Sequence, residues 1–430
     1  MRRCRSVKVF CGIDWAEGHH DIALIDESGQ LIAKKRISET VAGIEELTDM
    51  LAAAGDAAED PIPVAIETPR GLLVAALRAT GRVVYPINPM AVARYRERHT
   101  VSRGKSDHAD AMTLANILRT DQHVHRKLPA DTHLAQAVAV LARALQDATW
   151  RRTKASNELR SLLREYYPAF LEAFAGRNAS NLASTDARAV LAIAPTPAAA
   201  GKLSKARIGA ALRRAGRQRR IDTTAAQLHA ALRAPQLRQP ELVEHAMGRQ
   251  ALALLAVLDT ACRNVDELGK ATAEAFQQHP DHAIITSFPG LADNTGARVL
   301  AELGDDRTRF TDARAVKAYA GSAPITRASG RTISITHRRV KNDRLAAAGW
   351  AWAFAALAHD EHAHRHYRHR RDHGDRHPAA LRHLFNRMLG QLYFCLQTGQ
   401  YYHPEKAFAL ATTTPDVPTR GPSPRPARRR

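Results

Sequence analysis

The chain opens with short apolar runs separated by polar turns. "VKVFCGID", "HHDIALID" and "LIAKKRIS" follow one another closely, which predicts three strands in an antiparallel meander. In "GIEELTDMLAAAG" the period changes: apolar residues recur at helical spacing and Gly55 closes the run. "IPVAIET" predicts a strand, "GLLVAALRATG" a helix and "RVVYPI" a strand, after which Pro89 opens a helix through "MAVARYRERH". A meander followed by alternating helices and strands is an α/β layout with the first strand central, ending near residue 120.

Beyond it, two long Ala/Leu-rich stretches, from about 130 to 175 and from about 240 to 279, carry apolar residues at helical spacing with charges opposite. They predict a long, coiled-coil-like helical middle whose helices pair with each other or with a second copy of the chain. Smaller helices with a basic end at "RRAGRQRR" lie between them. A third region opens with "IITSFPGLADNTGARVLAELGD", a helix, Pro-Gly turn and helix that suggest a helix-hairpin-helix able to grip a phosphate through backbone N–H groups. The rest of this region reads as mainly helical, and the tail "TTTPDVPTRGPSPRPARRR" has a disordered composition. The expected divisions are 1–122, 123–280, 281–410 and 411–430.

Composition adds a partner class. Lys and Arg outnumber Asp and Glu by 63 to 43, a net charge of +20, which suits a polyanion such as nucleic acid. A solvated basic surface is the plainer reading of the same figure. No apolar run spans a membrane, and Asp14 interrupts the N-terminal stretch too early for a secretory signal. The cysteines (Cys4, Cys11, Cys262, Cys395) show no CxxC spacing, so a reducing cytoplasm is expected.

Against this basic background four acids stand out. Asp14 ends the first strand and Glu67 the fourth, while Asp107 and Asp110 share one face of the helix after "VARYRERHTVSRG". The carboxyl ends of central strands open into the functional crevice of an α/β sheet. Four carboxylates gathered there supply the hard oxygen ligands that two Mg²⁺ ions require for phosphodiester chemistry. Each acid also has a structural alternative: Asp14 in turn hydrogen bonds, Glu67 as a cap, and the pair as a solvated helix start. "GID" also begins actin-like sugar kinases. Glu67 and the Asp-x-x-Asp pair tip the choice toward a ribonuclease-H-like nuclease core.

"GIDWAEGHHDIALID", "AIETPRG" and "KSDHADAMTLANILR", in that order, resemble the DEDD motifs of the Piv-invertase-related insertion-sequence transposases. The stretch from "SFPGLADNTGARVLAELGD" to "AGWAWA" resembles the C-terminal domain of the same family almost throughout. The resemblance implies a RuvC-like catalytic domain in which Asp14, Glu67, Asp107 and Asp110 hold Mg²⁺ (or Mn²⁺). Glu17 departs from the lysine many relatives carry soon after the first Asp, which leaves the ligand assignment intact.

The resemblance also implies a nucleophilic serine in a Ser-Gly pair, here Ser329 in "ITRASGRTIS", with Ser322 and Ser334 as weaker alternatives. Without it, Ser-Gly is ordinary turn chemistry. Arg327, Arg331, Arg338 and Arg339 could neutralise charge building on a phosphate, and Arg94, Arg96, Arg103 and Lys105 surround the Asp pair as nucleic-acid contacts. Lys341, Asn342 and Arg344 resemble the family's Lys-Gly-Asn-x-x-Leu-Arg stretch, with Asn342 and Asp343 replacing Gly-Asn, and suit phosphate contact or helix capping. The eight histidines from His359 to His383 lack zinc-finger spacing and read as a nucleic-acid-facing surface.

The function expected is Mg-dependent transposition: cleavage and rejoining of DNA through a phosphoserine link. The expected partners are element-end and target DNA, a structured non-coding guide RNA and a homodimer or homotetramer, in which one chain's Ser329 could complete another chain's DEDD site. The alternatives are a structure-selective RuvC-like nuclease using water, and a catalytically inactive nucleic-acid-binding descendant.

Overall fold

The computed structural model describes residues 8–99, 107–175, 181–330 and 332–408; the side chains of His99 and Asp107 also lie outside the described set. The chain folds as two compact units, divided between Ala130 and Asp131.

In the first unit, β1 (Phe10–Trp15), β2 (His19–Ile25) and β3 (Leu31–Ser38) form the meander. Then come α1 (Val41–Ala53), β4 (Val64–Ile66), α2 (Leu72–Ala79), β5 (Val84–Pro86), α3 (Pro89–His99) and α4 (Asp107–Asp121). The sheet order is β3-β2-β1-β4-β5, with β1 central, antiparallel to β2 and parallel to β4. Alternation along β1 feeds two cores. Cys11 and Ile13 pack with Leu47, Leu51 and Leu73 from α1 and α2, while Phe10 packs with Leu114, Ala115 and Leu118 of α4 on the other face. This mixed α/β arrangement is consistent with the ribonuclease-H-like expectation.

The second unit is mostly helical: α5 (His133–Tyr166), α6 (Pro168–Ala173), α7 (Thr185–Ile193), α8 (Pro197–Gly201), α9 (Lys205–Arg214), α10 (Ile221–Ala231) and α11 (Glu241–Gln277). Next come α12 (His282–Thr286), α13 (Asp293–Leu303), α14 (Ala313–Tyr319), β6 (Ile325–Ser329), β7 (Thr332–Thr336), α15 (Asp343–His359), α16 (Glu361–Asp372), α17 (His377–Thr398) and α18 (Pro404–Ala407). The long helices α5 and α11 pair antiparallel, Leu145 lying beside Gly269. Their far halves share a core with α7 and α9 through Leu159, Leu163, Leu255 and Leu258. Their near halves share another with α13, α15 and α17, where Val138 and Phe276 meet Phe288, Trp352 and Leu389. The expected boundary at 280/281 therefore falls inside a continuous core.

The Pro289-Gly290 turn does separate two helices, α12 and α13. Its Gly290, at φ +82°, leaves no room for a Cβ, which would stand 2.7 Å from Ala356 N of α15. Trp352 Nε1 donates to Pro289 O at 3.0 Å, so one side of the turn is sewn onto α15. "ITRASGRTIS", read from sequence as a turn in a helical region, is instead the two-stranded β6–β7 hairpin. The alternating "TISIT" carried that signal.

Candidate functional site

A row of small residues crosses the sheet beneath α4. Gly12 pairs with Ala23 on β2 and Ala65 on β4. A Cβ on Gly12 would stand 2.0 Å from Ala111 O and 2.5 Å from Ala115 N, so glycine is what lets the α4 backbone lie on the central strand. One pleat further along the same face, the row becomes acidic. Asp14 follows Gly12 on β1, Asp21 lies directly opposite it on β2, and Glu67 stands two residues past Ala65, just beyond the end of β4. Ala111 seats α4 over Gly12, which brings the preceding Asp110 to the same end of the sheet. The sequence-predicted acids Asp14, Glu67 and Asp110 thus gather around one end of β1. Asp107 begins α4 and its side chain lies outside the described residues.

Asp21 escaped the sequence reading. Its signal was there: Asp14 and Asp21 sit symmetrically about the "WAEGHH" turn, so an antiparallel hairpin must oppose them. Asp21 is 2% exposed and accepts two hydrogen bonds from one edge of a guanidinium, from Arg36 Nε at 3.1 Å and Arg36 Nη2 at 2.7 Å. His108 Nδ1, on α4 between the two predicted aspartates, lies 3.0 Å from Asp21 Oδ1. Asp110, also buried, accepts from Arg96 Nη2 of α3. Arg36 and Arg96 thus balance the buried negative charge locally. The donor set is carboxylate oxygen, which fits a hard divalent cation. Among the described residues no three Asp, Glu, His or Cys side chains are drawn together tightly enough to hold an ion, Asp107 being outside them.

Ser329 lies in the second unit, exposed at the end of β6, paired with Thr332 across a turn in which Gly330 takes φ +56°. The register gives its face of the hairpin a polar character: Arg327, Ser329, Thr332 and Ser334 alternate with Ile333 and Ile335, which point the other way. Ser322 is different. It is buried, and its hydroxyl lies 3.2 Å from Lys317 O and 2.9 Å from Asn386 Oδ1, an anchoring role that commits its proton within the protein.

The basic residues divide by availability. Arg94, Arg327 and Arg339 are exposed, and Arg338 is half-buried. Arg96 is committed to Asp110, Lys341 Nζ lies 2.8 Å from Asp343, and Arg344 pairs with Asp147 at 2.9 Å while standing over Trp150. Asn342 caps α15, accepting from Leu345 N, and donates to Glu302 and Tyr319 at 2.7 Å. Arg103 and Lys105 lie outside the described residues, as does the Arg331 side chain. The histidine-rich segment forms α16 and the start of α17, where burial and neighbouring arginines push His366 and His383 below the usual imidazole range.

Comparison with known proteins agrees with these two regions. A family model for DEDD transposases of the IS110 kind matches residues 11–168, and a model described as the transposase IS116/IS110/IS902 family matches residues 282–368. A protein of Streptomyces coelicolor named for the mini-circle transposase of IS117 is 58% identical over 404 residues, covering 94% of this chain and 97% of its own. The 42 kDa protein of insertion element IS900 from Mycobacterium paratuberculosis is 28% identical over 409 residues (94% and 99%). The 43.6 kDa protein of IS110 from Streptomyces coelicolor is 26% identical over 416 residues (92% and 96%). No helix among the described residues is long and apolar enough to cross a membrane. The chain belongs to the IS116/IS110/IS902 family of insertion-sequence transposases, enzymes that cut and rejoin DNA, and its DEDD domain implies use of a divalent metal.

Proposed function

We propose that this transposase cuts and rejoins DNA through a covalent link to Ser329, and that Asp14, Glu67, Asp107 and Asp110 are its metal ligands, for Mg²⁺ or Mn²⁺. The observation that carries the reading is the acidic row at the end of β1, held beneath α4 by Gly12. When bound, the metal would draw charge from the scissile phosphate. Ser329 Oγ forms a new bond to phosphorus, its proton passes to solvent, and the deoxyribose oxygen leaves with a proton. A strand hydroxyl later displaces the serine oxygen, so the bond energy is kept and no ATP is needed. Arg327, on the same face of the hairpin, would offset phosphate charge in both steps.

The kinship with Piv invertase, the coiled-coil character of the middle and phosphate gripping by the α12–α13 turn belong to this proposal. So do a guide RNA, a homodimer or homotetramer joined through α5 and α11, and action on the cytoplasmic nucleoid. Val140, Trp150 and Val257, exposed along the two long helices, support the self-association. The net charge of +20 suits nucleic-acid partners. The test is a denaturing gel of protein with Mg²⁺, labelled DNA and RNA from the gene's flanks, comparing Ser329→Ala and Asp14→Asn. A protein–DNA adduct lost in both supports the mechanism. Cleavage without adduct that persists in Ser329→Ala replaces it with a water-using nuclease, and binding without cleavage under any condition replaces it with an inactive descendant.

A further inference from the structure

At the root of the serine hairpin lies a cavity of about 230 Å³, lined by residues of α15 and α17 and by the segment that leaves β7. Its floor is apolar, with Leu381 and Phe385 buried. Trp350 lines one side and keeps 44% of its surface exposed, while His377 meets its ring at nearly a right angle, 5.6 Å away. The rim is cationic: Arg338, Lys341 and Arg382. The Nε atoms of Arg338 and Arg382 are shielded from solvent without a hydrogen-bond partner, and neither guanidinium has an ion pair among the described residues. Two guanidinium groups without a carboxylate partner among the described residues, at the rim of an apolar slot, describe a recognition site for a group that is flat on one side and anionic on the other.

The local sequence builds this slot deliberately. Gly321 takes φ +71°, and a Cβ there would stand 2.2 Å from Lys341 Cδ, so glycine lets the lysine stem cross the cavity wall. The neighbouring Ser322 is pinned to Asn386 on α17, fixing the wall opposite.

We propose that this cavity receives one unstacked nucleotide of a nucleic-acid strand, its base against Trp350 and its phosphate at Arg338 and Arg382. A planar base suits the aromatic wall and apolar floor, and a phosphate suits the cationic rim of Arg338 and Arg382. The slot is too small for a duplex, so the strand must present a splayed base. His337 and Arg338 directly follow β7, so holding a nucleotide here would fix a strand at the base of the hairpin that carries Ser329. The proposal rests on the reading of the second unit as the one that handles a strand.

Full-length protein is tested with short single-stranded DNA and RNA oligonucleotides carrying one 5-iodo-pyrimidine, photocrosslinked and mapped by mass spectrometry, alongside binding by anisotropy. The expected crosslink falls on Trp350. Trp350→Ala weakens binding about tenfold, the scale of one lost base stack, while Trp350→Phe keeps most of it. Paired Arg338→Gln and Arg382→Gln weaken binding and flatten its salt dependence. Whichever oligonucleotide shows the Trp350 crosslink identifies the strand as DNA or RNA. One abasic site in the oligonucleotide, used with the unaltered protein, must lower affinity as Trp350→Ala does, so a misfolded variant cannot decide the matter. Crosslinks elsewhere with affinity unchanged by the abasic site overturn the cavity assignment while leaving strand handling intact. No binding of any oligonucleotide by the unaltered protein overturns both.

Discussion

Asp21 faces Asp14 directly across the first hairpin, and it is the more deeply buried of the two. Its carboxylate is held by Arg36 from the edge strand and approached by His108 from α4, so it joins β3, β2 and the helix bearing Asp107 and Asp110. With its carboxylate already engaged by Arg36, a positioning role is the expected one. Asp21→Asn should lower stability by about 1–3 kcal/mol, since Arg36 loses its counter-charge. Cleavage should slow without vanishing, whereas Asp14→Asn abolishes it. A thermal melt beside a cleavage time course checks both; full loss of cleavage at unchanged melting temperature would make Asp21 a ligand itself.

Gly12 sets the distance between sheet and helix. Gly12→Ala forces its methyl into the α4 backbone, an overpacking cost of about 1–3 kcal/mol or more, because main chain cannot swing aside as a side chain does. The melting temperature should fall and metal-dependent cleavage should fall further than stability alone explains. Normal cleavage in a normally stable variant would contradict the role given to this contact.

The two serines should separate cleanly. Ser322→Ala removes the hydrogen bond that a buried hydroxyl donates to Asn386 Oδ1 and should cost about 1–2 kcal/mol while adduct formation survives. Ser329→Ala, on an exposed strand end, should leave the melt unchanged and remove the adduct. The opposite pattern would move the nucleophile to Ser322.

His366 gives the second unit an acid-labile point. Its ring packs on Phe408, its Nε2 is buried without a partner, and burial with Arg387, Arg370, His383 and His369 nearby lowers its pKa from 6.5 to about 4. An imidazole held neutral in the fold contributes fully above pH 6.5, and that contribution is lost as pH falls toward about 4. The loss is at most about 3 kcal/mol, and less because solvent reaches part of the ring. His366→Gln should therefore flatten the drop in melting temperature between neutral and mildly acidic pH; parallel pH curves for the two proteins would exclude this histidine as the cause.

Much of the first unit was legible because its elements announce themselves in short apolar runs and changes of period. The strand carrying Asp14 is central because a meander precedes a parallel crossover, and its acids lie at its carboxyl end for the same reason. Asp21 was missed because its importance comes from hairpin register, a relation between positions and not a motif. The β6–β7 hairpin was missed because its signal, the alternation in "TISIT", is only five residues long and lies among helical periods. The cavity under Trp350 was invisible in the sequence, since α15 and α17 are joined only by tertiary packing.

The most direct test is to trap the reaction with native-flank DNA and RNA, digest protein and DNA, and identify the linked residue by mass spectrometry. The expected product is a nucleotide phosphate on Ser329, in the short peptide between Arg327 and Arg331, formed only with divalent metal and absent in Asp14→Asn. Cleaved DNA whose ends carry no amino acid, produced equally by Ser329→Ala, would contradict it.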